Sequence, residues 1–258
     1  KTFLERSGKA TKAAALAKEL TKDAKNKTEA IKAIRDYVAK SIRSAGPSFT
    51  DLPLSELSAA DTTLADGYGD QADRAILLHS MLTAAGFKPQ FVLASGLPPI
   101  NGITNVTARF PLPQNFQSAL VKVAVDGNVY FLNDTDQYAQ LGSTGFDGKL
   151  AIDLASHAFE IVRACRDCKD KTETAYTLSL SDSGKTRVGI TRQYYGMAYN
   201  SKNKYFSELP PEEKNRYYQE IVSDVAQGAR PIGELSTKFD SYPGTESYTV
   251  EIDNYSVV

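Results

Sequence analysis

The sequence predicts an α+β protein: a helical first third, then an antiparallel sheet, then a smaller β-rich region with one helix. Three observations carry this prediction. Apolar residues recur at three- and four-residue spacing up to about residue 85. From Pro89 onward the period becomes two. Asp126-Gly127-Asn128 then reads as a hairpin turn joining two such runs. The expected organisation is a core over residues 1–154 and a β-rich region over residues 155–258.

Taken in order, Lys9–Leu20 is rich in Ala, Lys, Leu and Glu, all good helix formers. Thr28 is the expected N-cap of a second helix, Glu29–Ile42. Ile31, Ile34, Tyr37, Val38 and Ile42 form its buried stripe. Ser44-Ala-Gly-Pro47 stops it, and residues 48–68 read as an irregular connector. Gly67-Tyr-Gly69-Asp70 turns into a third helix, Gln71–Ala85, ended by Gly86. Apolar residues lie nearly all round that helix, as expected of a central, buried one. Pro89–Ala94 reads as a strand and Leu97–Asn105 as a Pro/Gly loop. Ala119–Val125 and Val129–Leu132 flank the hairpin turn, and Asn133-Asp-Thr-Asp136 leaves the sheet.

Beyond Leu154, strands are expected at His157–Ala164, Thr174–Leu180 and Lys185–Gln193, the last two joined by a turn at residues 181–184. A helix from about Pro211 to Ala226 follows, with Glu212 and Glu213 complementing its N-terminal dipole. Leu235–Asp240 and Tyr248–Ile252 complete the pattern, the latter opening a β-like run that continues to Val258. The chain starts at Lys1 without a secretory leader pattern, and both ends read as cuts from a longer protein.

Composition narrows the chemistry. With 258 residues, 30 Lys+Arg and 31 Asp+Glu, the net charge is −1. That balance speaks against a nucleic-acid partner. No apolar run approaches the roughly 20 residues of a membrane helix, so no membrane span is expected. Two Cys, two His and no Trp leave a small reactive inventory. Any nucleophile–His pair must draw on His79 or His157.

The most informative segment is Gly69-Asp-Gln71-Ala-Asp73-Arg-Ala-Ile-Leu-Leu-His79-Ser-Met-Leu-Thr-Ala-Ala-Gly86. It resembles the core of the transglutaminase-like superfamily of papain-like thiol enzymes. There a Gly-Asp-Cys or Gly-x-Cys turn opens a central helix that ends in Ala-Ala-Gly. Further on, Phe116-Gln-Ser118-Ala-Leu-Val-Lys-Val123, Asp126-Gly127 and Tyr130-Phe-Leu-Asn133-Asp-Thr135 resemble the family's Phe-Asn-His-Ala, Asp-Gly and Leu-Asp-Pro-Thr blocks. The likeness covers about residues 25–140. The C-terminal tail resembles the extension of a group of large bacterial, usually exported members of unknown function.

The resemblance implies a Cys activated at the helix start, a His as base and a carboxylate or amide orienting it. Here those positions read Gln71, Ser118 and Asn133. Gln71 is no nucleophile and Ser118 is no base, and no His lies between residues 80 and 156. The expectation is therefore a catalytically inactive binding or scaffolding module of a larger bacterial envelope protein. Tyr68, Gln71, Ser118 and Asn133 would line its cleft. By resemblance the partner is a peptide or cell-wall-like ligand, or other domains of the same protein, and the location is outside the cytoplasm. No cofactor and no metal are expected. The competing reading is an amide or peptide hydrolase, or a thiol enzyme, using other residues such as Cys165 with His157.

Four further features have plainer readings beside the functional ones. His79 reads as a core histidine bonded to a backbone carbonyl. Cys165-Arg-Asp-Cys168 reads as a disulfide or two ordinary thiols, with redox or zinc chemistry less fitting its context. Asp61, Asp66, Asp70 and Asp73 cluster, but not at calcium-loop spacing, and Asp70 and Asp73 suit helix capping. Tyr194, Tyr195, Tyr199, Tyr205, Tyr217 and Tyr218 are either core and rim or a binding groove.

Overall fold

The computed structural model describes residues 1–182 and 184–253. Ser183, in the turn expected at 181–184, and the final five residues of the expected C-terminal run lie outside the described residues. The chain divides into two compact units. One holds residues 1–137 and 141–166, the other residues 138–140 and those from Asp167 on.

The first unit opens with helices α1 (Thr2–Ser7), α2 (Thr11–Thr21) and α3 (Lys27–Ser41). Asn26, not Thr28, caps α3, because its side chain accepts from the Glu29 N–H at 2.8 Å. Ile31, Ile34, Val38 and Ile42 are buried as their spacing requires. Helix α2 begins at Ala10, which has no capping side chain. Asp61 supplies the cap from fifty residues away, accepting from the N–H groups of Thr11, Lys12 and Ala13 at 2.8–3.1 Å. Burial pushes the Asp61 carboxyl up, but these N–H groups outweigh it and hold it below the usual range.

Asp61 lies in a short helix, α4 (Ala60–Asp66), inside the segment expected to be irregular. Seven residues carry too few turns to show a period. Two-residue strands β1 (Arg43–Ser44) and β2 (Tyr68–Gly69) pair in parallel, tying the exit of α3 to the entry of α5 (Gln71–Ala84). Helix α5 is the centre of the unit: Ala72, Ala75–Met81 and Leu82 are all buried, and α1, α2, α3 and α4 pack around it. The chain reverses beyond it at Gly86, whose φ of +87° suits glycine.

The opposite layer is a five-stranded antiparallel sheet in the order β5-β4-β3-β6-β7. Its strands are β3 (Gln90–Ala94), β4 (Ser118–Val125), β5 (Asn128–Leu132), β6 (Leu150–Asp153) and β7 (Phe159–Ile161). Ala119, Val121 and Val123 of β4 pack in the cluster that contains α5, while Leu120 belongs to the cluster of Val92, Ala94 and Phe131. The boundary expected at residue 154 falls inside this sheet. Strand β7 pairs with β6 through Leu150↔Ile161 and Ile152↔Phe159, and Lys122 of β4 makes ion pairs with Asp153 and Glu160. The unit boundary therefore lies at residues 166–167. Within the expected Pro/Gly loop, α6 (Asn101–Arg109) forms instead. It buries only Thr107, and Gly102 and Asn105, weak helix formers behind Pro98 and Pro99, made the segment read as a loop.

The second unit is a four-stranded antiparallel sheet, β10-β11-β9-β8, with strands β8 (Lys171–Leu180), β9 (Thr186–Tyr195), β10 (Arg230–Lys238) and β11 (Gly244–Ile252). It carries two helices, α7 (Gly196–Glu208) and α8 (Pro211–Ser223), where the sequence suggested one. Helix α7 was hidden by Gly196, Asn200, Ser201 and Asn203, all weak helix formers. Of its aromatic residues, Tyr199 is buried and packs on Phe239, whereas Tyr205 is exposed and meets Phe206 and Tyr217 edge-on. Among the rings sits fully buried Glu246, which accepts from Tyr217 at 2.7 Å and pairs with Arg192 at 3.1 Å.

Candidate functional site

A cleft of about 870 Å³ opens in the first unit between the end of α3, the start of α5 and the turn after β5. The start of α5, which gives Gln71 to this cleft, is fixed by helix capping. Asp70 caps α5 by accepting from the Asp73 N–H at 2.8 Å, and Asp73 accepts in return from the Asp70 N–H. The other Asp73 oxygen takes the Ser58 N–H at 2.7 Å. Gly69 is required beside this box, since a Cβ there would lie 2.8 Å from the Asp73 Cβ. Burial, and with it the Asp73 charge, pushes the Asp70 carboxyl up despite the N–H bonds it accepts. These two carboxylates are thus spent on the helix terminus.

Gln71, the first residue of α5, lines the cleft. Asn133, the residue after β5, lines it too. Its φ of +93° lies in the left-handed region, which Asn tolerates better than most residues. That bend aims its amide inward. Asn133 Nδ2 donates to the Gln71 carbonyl at 2.8 Å and to the Ala119 carbonyl at 2.9 Å. One side chain therefore ties the helix start to the start of β4. Asn133 Oδ1 is buried and has no hydrogen-bond partner.

Ser118 and Tyr68 fall elsewhere. Ser118 opens β4 next to Ala119, but it shares the strand row of Leu120 rather than that of Ala119, and it does not line the cleft. Tyr68 is 52% exposed and borders a separate hollow of about 220 Å³ with Asp70 and Asp73. Of the four expected cleft residues, the structure brings Gln71 and Asn133 together and leaves Tyr68 and Ser118 outside.

Charged residues complete the lining: Asp134 and Asp136, which the sequence shows as an acidic pair, and Lys40, Arg43 and Arg74, which the sequence reading passed over. Arg74 sits three residues after Gln71, and that i,i+3 spacing is the signal that places both on one helix face. Burial pushes its guanidinium below the usual arginine range. Asp134 is held by the Thr144 hydroxyl at 2.6 Å and the Gly145 N–H at 2.8 Å, yet burial still pushes its carboxyl up. Behind it Arg35, almost fully buried, pairs with Asp36 at 2.7 Å, donates to Thr135 Oγ1 at 3.2 Å and feels both Asp134 and Asp136.

Neither a thiol nor an imidazole lies among the lining residues. His79 is a core residue: its ring stacks on Phe91 at 4.1 Å and donates to the Pro89 carbonyl. Burial outweighs that bond and pulls it down to about 4. Cys165 and Cys168 are both disulfide-bonded, so the pairing of a Cys165 nucleophile with His157 is ruled out as the chain stands. No group of three or more His, Cys, Asp and Glu arranged to hold a metal occurs among the described residues.

Residues 14–134 match the model of the transglutaminase-like superfamily. The first unit carries a transglutaminase-like domain. No curated protein matches the sequence. Among solved structures, the chain is similar to one described as a putative protease from Parabacteroides distasonis, at 14% identity and a TM-score of 0.48. That match covers 98% of this chain and 51% of the other, so the chain spans about half the length of that protein. No helix among the described residues is long and apolar enough to cross a membrane.

Proposed function

We propose that this transglutaminase-like domain is catalytically inactive and uses its cleft to bind a peptide-like ligand, as a module of a larger bacterial envelope protein. The observation that carries the reading is the bonding of Asn133. A residue that orients a catalytic base must present a hydrogen-bond acceptor to it. Asn133 spends both amide hydrogens on the Gln71 and Ala119 carbonyls and keeps its oxygen as the acceptor, but that oxygen meets no donor and no imidazole lies among the lining residues for it to orient. Gln71 has no ionisable nucleophile to offer beside it. The open cleft, with amide and carboxylate groups in its lining, suits a ligand that carries both N–H donors and carbonyl acceptors. The disulfide favours an oxidising compartment outside the cytoplasm.

The test uses Gln71→Cys, whose thiol is the single free one because the native cysteines are bonded. Its alkylation rate is measured with and without a pool of short peptides, and the same pool is incubated with wild-type protein and followed by mass spectrometry. Slower alkylation with unchanged peptide masses is expected. Unslowed alkylation, or wild-type-dependent cleavage or amide exchange, would overturn the reading.

A further inference from the structure

We infer that the cleft recognises its ligand through a carboxylate, gripped by Arg74 and attracted by Lys40 and Arg43. This rests on the proposed binding role and specifies the chemistry of the ligand. The three cations line one cleft from two elements, Arg74 from α5 and the others from the end of α3 and β1. None of them makes an ion pair or a side-chain hydrogen bond with any described residue, and the Nε of Arg74 is buried without a partner. The contrast with Arg35 is direct. Arg35 is more deeply buried yet has Asp36, Asp134 and Asp136 around it. Arg35 offsets part of that acid charge from behind, and in the lining itself the three cations Lys40, Arg43 and Arg74 outnumber the two carboxylates Asp134 and Asp136.

A half-buried guanidinium without a counter-ion costs free energy in the empty protein, and a bound anion offsets that cost. The planar guanidinium fork matches a carboxylate in two parallel hydrogen bonds. Lys40 and Arg43 are exposed, so they act over a longer range as an attracting field. Asp134 and Asp136 in the same lining disfavour a dianion such as phosphate and provide acceptors for ligand N–H groups. The combination selects an amide bearing a single carboxylate. That carboxylate belongs either to a peptide C-terminus or to an acidic side chain.

Three tripeptide pools separate the possibilities: neutral side chains with free C-termini, C-terminally amidated peptides with one Asp or Glu, and amidated neutral peptides. Binding is measured on the ¹⁵N-labelled wild-type chain, with the Arg74 Nε–Hε signal assigned from Arg74→Lys. One carboxylate pool should bind at least about tenfold more tightly than the neutral amidated pool and should shift that signal. Arg74→Gln should abolish the preference, and Arg74→Lys should retain part of it. Equal binding of all pools, a preference unchanged in a folded Arg74→Gln variant, or tighter binding of inorganic phosphate would overturn the carboxylate assignment while leaving a binding cleft. Absence of binding by every pool would overturn the binding role itself, and the carboxylate assignment with it.

Discussion

Asn133 is where a single atom exchange discriminates between a structural and a catalytic residue. Asn133→Asp replaces the amide NH₂ by oxygen and points a carboxylate at the Gln71 and Ala119 carbonyls. Two hydrogen bonds of 2.8 and 2.9 Å are lost in a residue only 6% exposed. Each is worth about 0.5–1.5 kcal/mol net, and leaving buried acceptors unpaired adds to the loss. Asn133→Ala should therefore cost about 2–4 kcal/mol, part of it from holding Ala at φ +93°. Asn133→Asp should cost at least as much, and its cost should depend on pH. Facing two carbonyl oxygens, the new carboxyl has a folded-state pKa raised above its unfolded value of about 4. The folded form then binds the proton more tightly, so stability relative to wild type falls as pH rises above about 4. Urea denaturation of wild type, Asn133→Ala and Asn133→Asp at pH 4.5 and pH 8 reads this directly. An Asn133→Asp variant as stable as wild type at pH 8, or a deficit that shrinks as pH rises, would refute the bonding scheme.

His79 makes a second pH-dependent prediction. Its folded pKa of about 4 lies below the unfolded 6.5, so stability is complete above about 6.5 and is lost as pH falls towards 4. The loss should approach about 3 kcal/mol and should be largely absent in His79→Phe, measured by chemical denaturation across that window. Asp61→Ala removes a cap that three N–H groups share and should cost about 1–2 kcal/mol, seen as faster amide exchange in the first turn of α2. In the second unit, Glu246→Ala leaves Arg192 and Tyr217 without their buried acceptor. It should cost about 3–5 kcal/mol and expose β9 and β11 to exchange while sparing α5.

The central helix and the hairpin were legible because their patterns are local: α5 is apolar all round, and Asp126-Gly127 marks its own turn. What stayed hidden depends on partners distant in sequence. The cap of α2 lies on α4, and neither Ala10 nor Asp61 announces it alone. Strand β7 exposes much of its surface, so only its pairing with β6 and the Lys122–Glu160 contact assign it to the first sheet. At the site, family order placed Gln71 and Asn133 in one cleft. The same order gave no view of Ser118, whose direction depends on strand alternation, or of Tyr68, which opens onto a different hollow. The cleft cations were missed because charged residues on helices are usually solvated, and only the fold shows that Arg74 lacks a counter-ion.

The most direct test of inactivity is product formation by the wild-type chain. Wild type and Gln71→Ala are incubated at high concentration with glutamine-containing peptides and a primary amine, and released ammonia, cleavage and amine transfer are measured against a no-protein control. The expected result is that both match the control. Turnover by wild type that Gln71→Ala removes would contradict the assignment of this cleft to binding alone.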